Sequence, residues 1–304
     1  MRISPQISEL VLTALKTSDD AEQQALVQLT TGRRVNVASD DPAAAALEVN
    51  LSSQMNNCDQ FLRSISSISS ELQTADSSLN SAVAPLQRAI SLGVEGANGT
   101  LSQPDRATLA QEVRGISQQM LNVANLSYNG TYVFAGTANS QPPYVLDPTV
   151  PGGVRYQGNN GINEVEVEDG QTVAVNQPGS QLFSAAGANV FVALDDLATA
   201  LENPGSTTGD IGDATNEVRV AYDQLNSARS FYGNTINQLT SSQDFLNSEK
   251  LQLSSQQNST VGVDITTAAA NLSSAEAARD ATVQAAASLN NISLMDYLSP
   301  LQTP

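Results

Sequence analysis

Histidine is absent from this chain, and cysteine occurs only once, as Cys58. Without histidine the chain lacks the side chain that proteins use most often as a general base and as a metal ligand. A single cysteine allows no internal disulfide and no multi-cysteine zinc or iron–sulfur site. Serines and acids are scattered without an evident neighbouring base, so no enzyme, cofactor or metal site is expected. A hydrolase whose two carboxylates meet only in the fold is the enzymatic alternative that stays open.

Tryptophan is also absent, aromatic residues make up 4% of the 304 residues, and charged residues make up 14%. An average domain has about 25% charged residues, so the surface here must be rich in uncharged amides and hydroxyls. Few side chains can bury a large area, because aromatic residues normally do so. This composition favours helices that pack laterally through small and aliphatic side chains.

Basic residues are scarce as well: 13 Lys and Arg stand against 31 Asp and Glu, which gives a formal net charge of −18. Such a chain repels phosphate backbones, so nucleic acid is not an expected partner. No 18-residue apolar run occurs, and the first residues contain no uninterrupted apolar stretch of the signal-peptide type. We therefore expect neither a membrane span nor a cleaved secretory signal.

Apolar residues recur every seven positions in two long segments, a pattern typical of coiled coils and helical bundles. The first series is Leu51, Cys58, Ile65, Leu72, Leu79 and Leu86, and the second is Val218, Leu225, Tyr232, Leu239, Leu246 and Leu253. A second row in the first segment is predicted at Met55, Leu62, Ile68, Ala75, Val83 and Ile90. Pro85 should bend that helix or break it. A third helix is predicted to begin at Ser102 and Pro104.

The middle of the chain has a different composition, with proline clusters and alternating valines. Asn129-Gly130 and Asp169-Gly170 each predict a two-residue hairpin turn between short strands. Residues 188–203 predict one short amphipathic helix. The expected fold is therefore mainly α with a β-rich insertion, an α+β arrangement in which both halves of the chain form a long antiparallel helical bundle that carries a small β domain at its tip.

The composition changes predict three domains, two of them discontinuous. A terminal helical assembly domain is expected at 1–38 plus 262–304, and a helical bundle domain with a hairpin at 39–137 plus 206–261. A β-rich outer insertion domain is expected at 138–205. Limited proteolysis should cut the Pro- and Gly-rich edges of that insertion first.

Both ends of the chain are helical by propensity, but many of their apolar positions are alanines, which bury little area. We expect these ends to be weakly ordered in a lone subunit and to form an antiparallel helical pair that lines an inner tube after assembly. The residues predicted to contact neighbouring subunits are Ile7, Val11, Leu15, Leu29, Leu272, Val283, Leu289, Leu294 and Leu298.

The stretch TGRRVNVASDDP, residues 31–42, predicts a joint between two helices. Gly32 suits a left-handed helix cap, and Pro42 suits the first position of the next helix, with Asp41 as its N-cap and Asp40 beside the positive end of its dipole. Arg33 and Arg34 should pair with acidic groups of this chain or of a neighbouring subunit. A phosphate-binding loop is not expected, since it needs more glycines and a Lys-Ser or Lys-Thr.

These segments resemble bacterial flagellar axial proteins, the family of flagellin and the hook-associated proteins. The resemblance is carried at the two ends by LTTGRRVNVASDDPAAAALEV (29–49) and VDITTAAANLSSAEAARDATVQAAASLNNISLMDYL (263–298). Within the bundle it is carried by ANGTLSQPDRATLAQEVRGISQQMLNVAN (97–125) and NGTYVFAGT (129–137). The SDDPAAAALEV, YVFAGT and SLMDYL segments resemble the junction proteins on the filament side of the hook more closely than flagellin.

The resemblance implies a structural role: a ring of identical subunits that joins the hook to the filament. The implied partners are further copies of the chain, the preceding hook-associated junction protein, flagellin, and the flagellar export chaperone and export apparatus. The implied location is extracellular, in the bacterial flagellum, without nucleic acid or membrane as a partner. Two alternatives remain at this point: flagellin itself, and a secreted helical adhesin or binding module.

Overall fold

The computed structural model describes the backbone of residues 5–298 and the side chains of residues 9–288. Its helices are α1 (Pro5–Thr31), α2 (Pro42–Gly96), α3 (Gln103–Ala124), α4 (Gly179–Leu182), α5 (Val190–Glu202), α6 (Thr208–Val261) and α7 (Ile265–Leu298). Its strands are β1 (Ser127–Tyr128), β2 (Thr131–Tyr132), β3 (Tyr144–Leu146), β4 (Val154–Tyr156), β5 (Glu164–Glu168), β6 (Gln171–Ala174), β7 (Ser184–Ala185) and β8 (Ala188–Asn189). The fold is mainly α with a small β-rich part, as the sequence predicts.

The chain divides into two compact units. The first contains residues 1–57 and 249–304, of which 5–57 and 249–298 are described, and the second contains residues 58–248. The boundary between the units falls inside α2 and inside α6. The three-domain division expected from the composition stays a prediction.

In the second unit, α2 and α6 lie antiparallel and cover each other's apolar stripe. Asp76 of α2 accepts a 3.1 Å hydrogen bond from Arg229 of α6, and further along α2 the Gln87 amide donates to the hydroxyl of Tyr222. Every residue of the two predicted seven-residue series is buried, with exposures that range from 0% for Ile65 to 7% for Leu253. Because each large apolar side chain left in water forgoes about 1.5–3 kcal/mol, this mutual burial is the main stabilising term.

The predicted second row of α2 is mostly half-buried: Ala75 is fully buried, but Met55, Leu62, Ile68, Val83 and Ile90 are not. Near the C-terminal end of the helix, Ala82 and Ala89 are fully buried instead. The helices approach too closely for larger side chains: a Cβ atom added at Gly93 would overlap Thr215 of α6. Alanine therefore occupies positions where the pattern alone favours valine and isoleucine.

Of the two outcomes predicted at Pro85, a bend or a break, the break does not occur, because α2 continues through this residue from Pro42 to Gly96. A proline inside a helix removes one backbone hydrogen bond. The neighbouring Leu79, Ala82 and Leu86 are all fully buried. Tertiary packing on both sides of the proline thus holds the helix where local propensity would end it.

The third helix begins as predicted. Ser102 has an extended backbone, and its hydroxyl accepts a hydrogen bond from the amide of Asp105 at the start of α3. Arg88 of α2 pairs with Glu112 of α3, and Arg114 of α3 pairs with Glu202 of α5, each at 2.6 Å. The helix α5 packs directly against α3. Part of the middle segment therefore belongs to the same compact unit as the long helices.

The strands form four antiparallel pairs, β1–β2, β3–β4, β5–β6 and β7–β8. Asn129 and Gly130 connect the first pair with φ values of +50° and +83°, as a type I′ turn requires. Gly170, with φ +75°, closes the β5–β6 pair, in which Val165 lies opposite Val173. Both predicted hairpins are confirmed, and so is the short helix at 190–202.

The few aromatic residues are concentrated in the middle of the chain. Tyr144 lies at the centre, with ring centroids 5.0 Å from Tyr156, 5.2 Å from Phe191 and 5.9 Å from Phe183. Phe134 contacts Phe183 edge to face. Burial raises the pKa of the Tyr144 phenol, whose oxygen accepts a hydrogen bond from Ser184. The short strands therefore gain their support from this aromatic cluster and not from an extended sheet.

Replacing Leu79 with Ala should lower the free energy of unfolding by about 2–5 kcal/mol, since the fully buried side chain leaves a cavity between long helices. Denaturant unfolding of the full chain, followed by far-UV circular dichroism, measures this. Leu146 is 73% exposed, and Leu146→Ala serves as a matched control that should change stability by less than about 0.5 kcal/mol. Equal effects of the two variants would contradict the assigned core.

Candidate assembly site: the terminal helix pair and its joint

The helices α1 and α7 of the first unit pack against each other in antiparallel orientation. Arg279 of α7 reaches across to two acids of α1, with 3.1 Å contacts to Asp19 Oδ1 and to Glu22 Oε2. About half of the Arg279 side chain is exposed, so each contact contributes at most about 1 kcal/mol. These ion pairs orient the two helices more than they stabilise them.

Small side chains dominate the buried part of this pair. Ala25 of α1 and Ala268 and Ala275 of α7 are buried, with exposures of 4%, 1% and 9%. Each alanine removes little apolar surface from water, so the pair gains much less from burial than α2 and α6 do. Contact within one chain therefore covers only a narrow strip of each helix.

Large apolar side chains on the same two helices remain in water. Leu10 and Leu12 of α1 are 72% and 67% exposed, and Ile265 of α7 is 68% exposed. Leu26, Val27 and Val283 are exposed to a lesser degree. Exposed apolar groups that cluster on one element mark surfaces that bind another molecule. The described part of the helix pair thus has the character of an incomplete core.

The predicted subunit contacts fall into three groups. Val11, Leu15, Leu29 and Leu272 are half-buried, and Val283 is exposed. The side chains of Ile7, Leu289, Leu294 and Leu298 lie outside the described residues. Their role as contacts between subunits stays a prediction.

Leu10, Leu12, Leu26 and Val27 are missing from the predicted set, although they are exposed large apolar residues in the described part of α1. Sequence reasoning selected the most regular apolar stripe, which in this fold is the stripe half-covered inside the chain. The signal that could have found the others is their position beside that stripe, where a helix with one partner would carry polar residues.

A shallow groove runs along one flank of the helix pair. It has a volume of about 460 Å³ and is lined by small and uncharged side chains with one leucine at its edge: Leu10, Thr13, Ala14, Thr17, Ser18, Ala21, Ala275 and Ala278. We call it the small-residue groove. Its lining contains no charged group, so only an apolar or weakly polar occupant suits it.

The predicted joint follows α1 directly, and Gly32 is the residue at which the chain leaves the helix. Its φ of +69° is the left-handed conformation that a glycine at the end of a helix adopts. The Gly32 carbonyl accepts from the amide of Val263, and the Arg34 amide donates to the carbonyl of Val261 at 2.7 Å. Arg33 and Gly262 thus form a short antiparallel bridge. The end of α1 is fixed by backbone hydrogen bonds to the segment between α6 and α7.

Both arginines of the joint find acidic partners within the chain. The Arg34 guanidinium donates to Asp41 Oδ2 from both terminal nitrogens, at 3.2 and 3.1 Å, and also to the Thr260 carbonyl. Arg33 pairs with Glu48 of α2, and the same carboxylate accepts from Gln257 of α6. The alternative in which these arginines pair with a neighbouring subunit is therefore unnecessary. They connect the joint to α2 and α6.

Asp41 caps α2, since its Oδ1 accepts from the amide of Ala44 at 3.0 Å and Pro42 is the first helical residue. Asp40 makes its hydrogen bonds within the preceding loop. Its Oδ2 accepts from the amides of Asn36 and Val37 at 2.9 and 3.1 Å. The reason is local, because a carboxylate gains more from two direct amide hydrogen bonds than from a dipole at longer range. Asp40 thus holds the loop and Asp41 holds the helix.

A small apolar cluster lies under this network. Val35, Ala44 and Val261 are buried together, and Ala45 packs against them. Val35 comes from the joint, Ala44 from α2 and Val261 from the end of α6, so three segments meet at one point. The joint is therefore an ordered element with its own core and not a loose linker.

Amide hydrogen bonds lower the pKa values of three carboxyl groups around the joint. The Ala44 amide, together with Arg34, lowers the pKa of Asp41 below its ordinary value of 3.8. The Asn36 amide does so for Asp40, and the Thr266 amide for Asp264 at the start of α7. An ionised carboxylate accepts these amide hydrogen bonds more strongly than a protonated carboxyl group does. The joint is thus held in part by negative charge.

The described residues contain no group of three or more His, Cys, Asp or Glu that could hold a metal ion. Cys58 is buried in the seven-residue series of α2. No helix within residues 5–298 is long and apolar enough to cross a membrane.

Acid should loosen the joint. A carboxyl group whose pKa is lower in the folded chain adds stability above its unfolded pKa, and this stability is lost as the pH falls through the folded value. The loss should therefore begin near pH 4 and grow below it. Thermal unfolding at pH 6 and at pH 3 measures the decrease, which should be smaller in Asp41→Asn, since asparagine also caps a helix but does not titrate near these pH values. An identical decrease in the variant and the parent would contradict this role of Asp41.

Replacing Gly32 with Ala should cost about 1–2 kcal/mol of stability, because a residue with a Cβ atom strains the left-handed conformation. No atom lies within 4 Å of the added carbon, so the effect isolates backbone strain. Gly115, inside α3, is the matched control: its Cβ would also meet nothing within 4 Å, and Gly115→Ala should stabilise the chain by about 0.5–1 kcal/mol. Chemical denaturation of both variants tests the difference in sign.

Family models for bacterial flagellin match the two helical ends. The model of the flagellin N-terminal helical region matches residues 3–139, and the model of the flagellin C-terminal helical region matches residues 215–298. The matched ranges include α1–α3 and most of α6 and α7, with both sides of the joint. Residues 140–214, which contain most of the short strands, fall between the two matches.

Solved structures share this fold. A flagellar hook-associated protein of Vibrio parahaemolyticus superposes with a TM-score of 0.68 at 21% identity, over 73% of this chain and 100% of that chain. The flagellar junction protein of Legionella pneumophila superposes with a TM-score of 0.60 at 17% identity, over 71% of this chain and 100% of that chain.

Sequence relatives are found among both hook-associated proteins and flagellins. Polar flagellin F of Vibrio parahaemolyticus is 31% identical over 123 residues, which cover 40% of this chain and 33% of that flagellin. Flagellar hook-associated protein 3 of Salmonella typhimurium is 32% identical over 219 residues, which cover 67% of this chain and 68% of that protein. The chain therefore belongs to the family of flagellar hook-associated protein 3, which shares its helical ends with flagellin.

Proposed function

We propose that this chain is a structural subunit of the bacterial flagellum and forms the junction between hook and filament. The proposal draws on the similarity to flagellar hook-associated protein 3, which extends over two thirds of both chains, and on the fold shared with a flagellar junction protein. The relatives are structural flagellar proteins. A structural role therefore explains the chain without catalysis, and its place is outside the cell, in the flagellum.

The observation that carries the proposal is the exposed apolar surface of α1 and α7. Leu10, Leu12 and Ile265 are each more than two-thirds exposed, on helices whose shared core consists of alanines. A lone chain gains nothing from this surface, whereas a chain surrounded by copies of itself buries it. Ring assembly repeats one contact around an axis, so a modest gain per subunit is multiplied by the number of contacts.

The partners follow from this role. Neighbouring copies of the chain cover the helix pair, the preceding hook-associated junction protein lies on the hook side, and flagellin lies on the filament side. Before assembly, an export chaperone covers exposed apolar helix surface, and the flagellar export apparatus carries the chain outward. The exposed apolar surface of α1 and α7 is the physical reason for a chaperone, since exposed apolar helices aggregate at high concentration.

Flagellin is the second candidate, because flagellin family models match both ends of the chain. The extent of similarity favours the junction role: the alignment to polar flagellin F covers 40% of this chain, against 67% for hook-associated protein 3. Copy number separates the two roles, since a filament contains vastly more subunits than a junction.

A strain that lacks this chain should build hooks, release flagellin into the medium and lose motility. Electron microscopy and immunoblots of the culture medium give the result. Complementation with the full chain should restore filaments, whereas a chain without residues 1–31 should stay folded in its second unit, 58–248, and fail to restore them. Filaments of normal length in the deletion strain would refute the junction role, whereas motility restored by the truncated chain would refute the role of α1 in assembly.

A further inference from the structure

The ion pair between Arg33 and Glu48 at the joint is only half formed. Arg33 Nη2 donates to Glu48 Oε1, and the same oxygen also accepts a 3.0 Å hydrogen bond from the Gln257 amide. Among the described residues, neither Arg33 Nε nor Glu48 Oε2 has a hydrogen-bond partner, although both atoms are buried. A buried donor or acceptor without a partner is costly. The two atoms therefore favour a rearrangement that pairs them.

A fully formed pair of the same kind occurs elsewhere in the chain. Arg88 donates from Nε to Glu112 Oε1 at 2.6 Å and from Nη2 to Glu112 Oε2 at 3.0 Å. Nε and Nη2 lie on one edge of the planar guanidinium, so a single carboxylate can accept from both. Arg33 uses only the Nη2 of this edge. A small rotation of the Glu48 carboxylate would complete the second hydrogen bond.

A cavity beside this ion pair gives the third partner room to move. It has a volume of about 490 Å³, and both Arg33 and Gln257 line it. Its other lining includes the polar residues Ser254, Ser255 and Asn258. The Gln257 side chain can therefore turn away from Glu48 without a clash, and water in a cavity with polar walls can solvate its amide there.

From these contacts we infer that Glu48 is a two-position element of the joint and that Gln257 selects between the positions. In the first position, which the structure shows, Glu48 accepts from Arg33 and Gln257 and so ties the joint to α6. In the second position Gln257 lies in the cavity, and Glu48 accepts from both Nε and Nη2 of Arg33. Gln257 is thus a positioning residue, since it acts on Arg33 through the shared carboxylate.

The second position releases a side-chain contact of α6 while the joint keeps its hold on α2. One hydrogen bond to Glu48 is exchanged for another, so the two positions lie close in free energy. The Arg34 amide still donates to the Val261 carbonyl, and its guanidinium still donates to the Thr260 carbonyl. The inference goes beyond the proposed function, because it concerns the joint of a single chain and does not depend on assembly.

A double-mutant cycle on the purified full chain tests the two positions. Gln257→Leu removes the amide donor, and Arg33→Lys leaves an ammonium that cannot offer two donors on one planar edge. In the parent, the second bond from Arg33 should compensate for the loss of Gln257, whereas nothing replaces it in the Arg33→Lys chain. We expect Gln257→Leu to lower the folding equilibrium constant at least about threefold more in the Arg33→Lys chain, by denaturant unfolding. A smaller difference, or a larger loss in the parent, would overturn the inference.

Hydrogen exchange at Arg33 Nε reports the rearrangement directly. Its signal in the NMR spectrum of the full chain with labelled arginines is identified by its absence from Arg33→Lys. Exchange with water should slow at least about threefold in Gln257→Leu, because the Nε–H group gains a carboxylate acceptor. Gln256→Leu, at the exposed neighbouring position of α6, is the matched control and should leave the exchange rate unchanged.

A rate in Gln257→Leu that equals the parent rate would overturn the inference. This result is expected if a water molecule already bridges Arg33 Nε and Glu48 Oε2 in the parent. Slower exchange in both Gln257→Leu and Gln256→Leu would also overturn it, since the effect would then come from added apolar surface and not from the shared carboxylate.

Discussion

A helix with an apolar stripe is stable only where another helix covers that stripe. α2 and α6 meet this need within the chain, since both seven-residue series are buried along their length. α1 and α7 meet it only in part, because their shared core is made of alanines and their larger side chains stay exposed. The same constraint that is met in the second unit within one chain is therefore met only in part in the first unit.

The joint, residues 31–42, connects α1 to α2 and is held mainly by polar contacts. Arg33 and Arg34 reach α2 and α6 through Glu48, Asp41 and the Thr260 carbonyl. Beneath them lies only a small apolar cluster around Val35. Hydrogen bonds and ion pairs are directional, whereas apolar burial is not. A polar joint thus fixes the angle at which α1 leaves the rest of the first unit.

Regular features could be predicted from the sequence, and context-dependent ones could not. The seven-residue series and the Asn129-Gly130 turn are set by local periodicity and by backbone conformation, so they appear in the structure as predicted. The burial of Ala82 and Ala89 in place of Val83 and Ile90 depends on how closely α6 approaches, which no local pattern encodes. The same holds for Leu12 and Leu26, whose exposure reflects the narrow contact between α1 and α7. Pairing of Arg33 with Glu48, 15 positions further along the chain, depends on how the joint folds back on α2, which the sequence pattern does not specify.

The bridge between the two ends of the chain also sets an order of events. Arg34 and Thr260, which are joined by a hydrogen bond, are 226 positions apart in sequence. Closing so long a loop carries a large entropic cost and is slow unless the intervening part is already compact. The amino-terminal helix therefore has no partner helix until residues close to the other end of the chain are available. The bridge between Arg33 and Gly262 then closes only after the long intervening part has become compact.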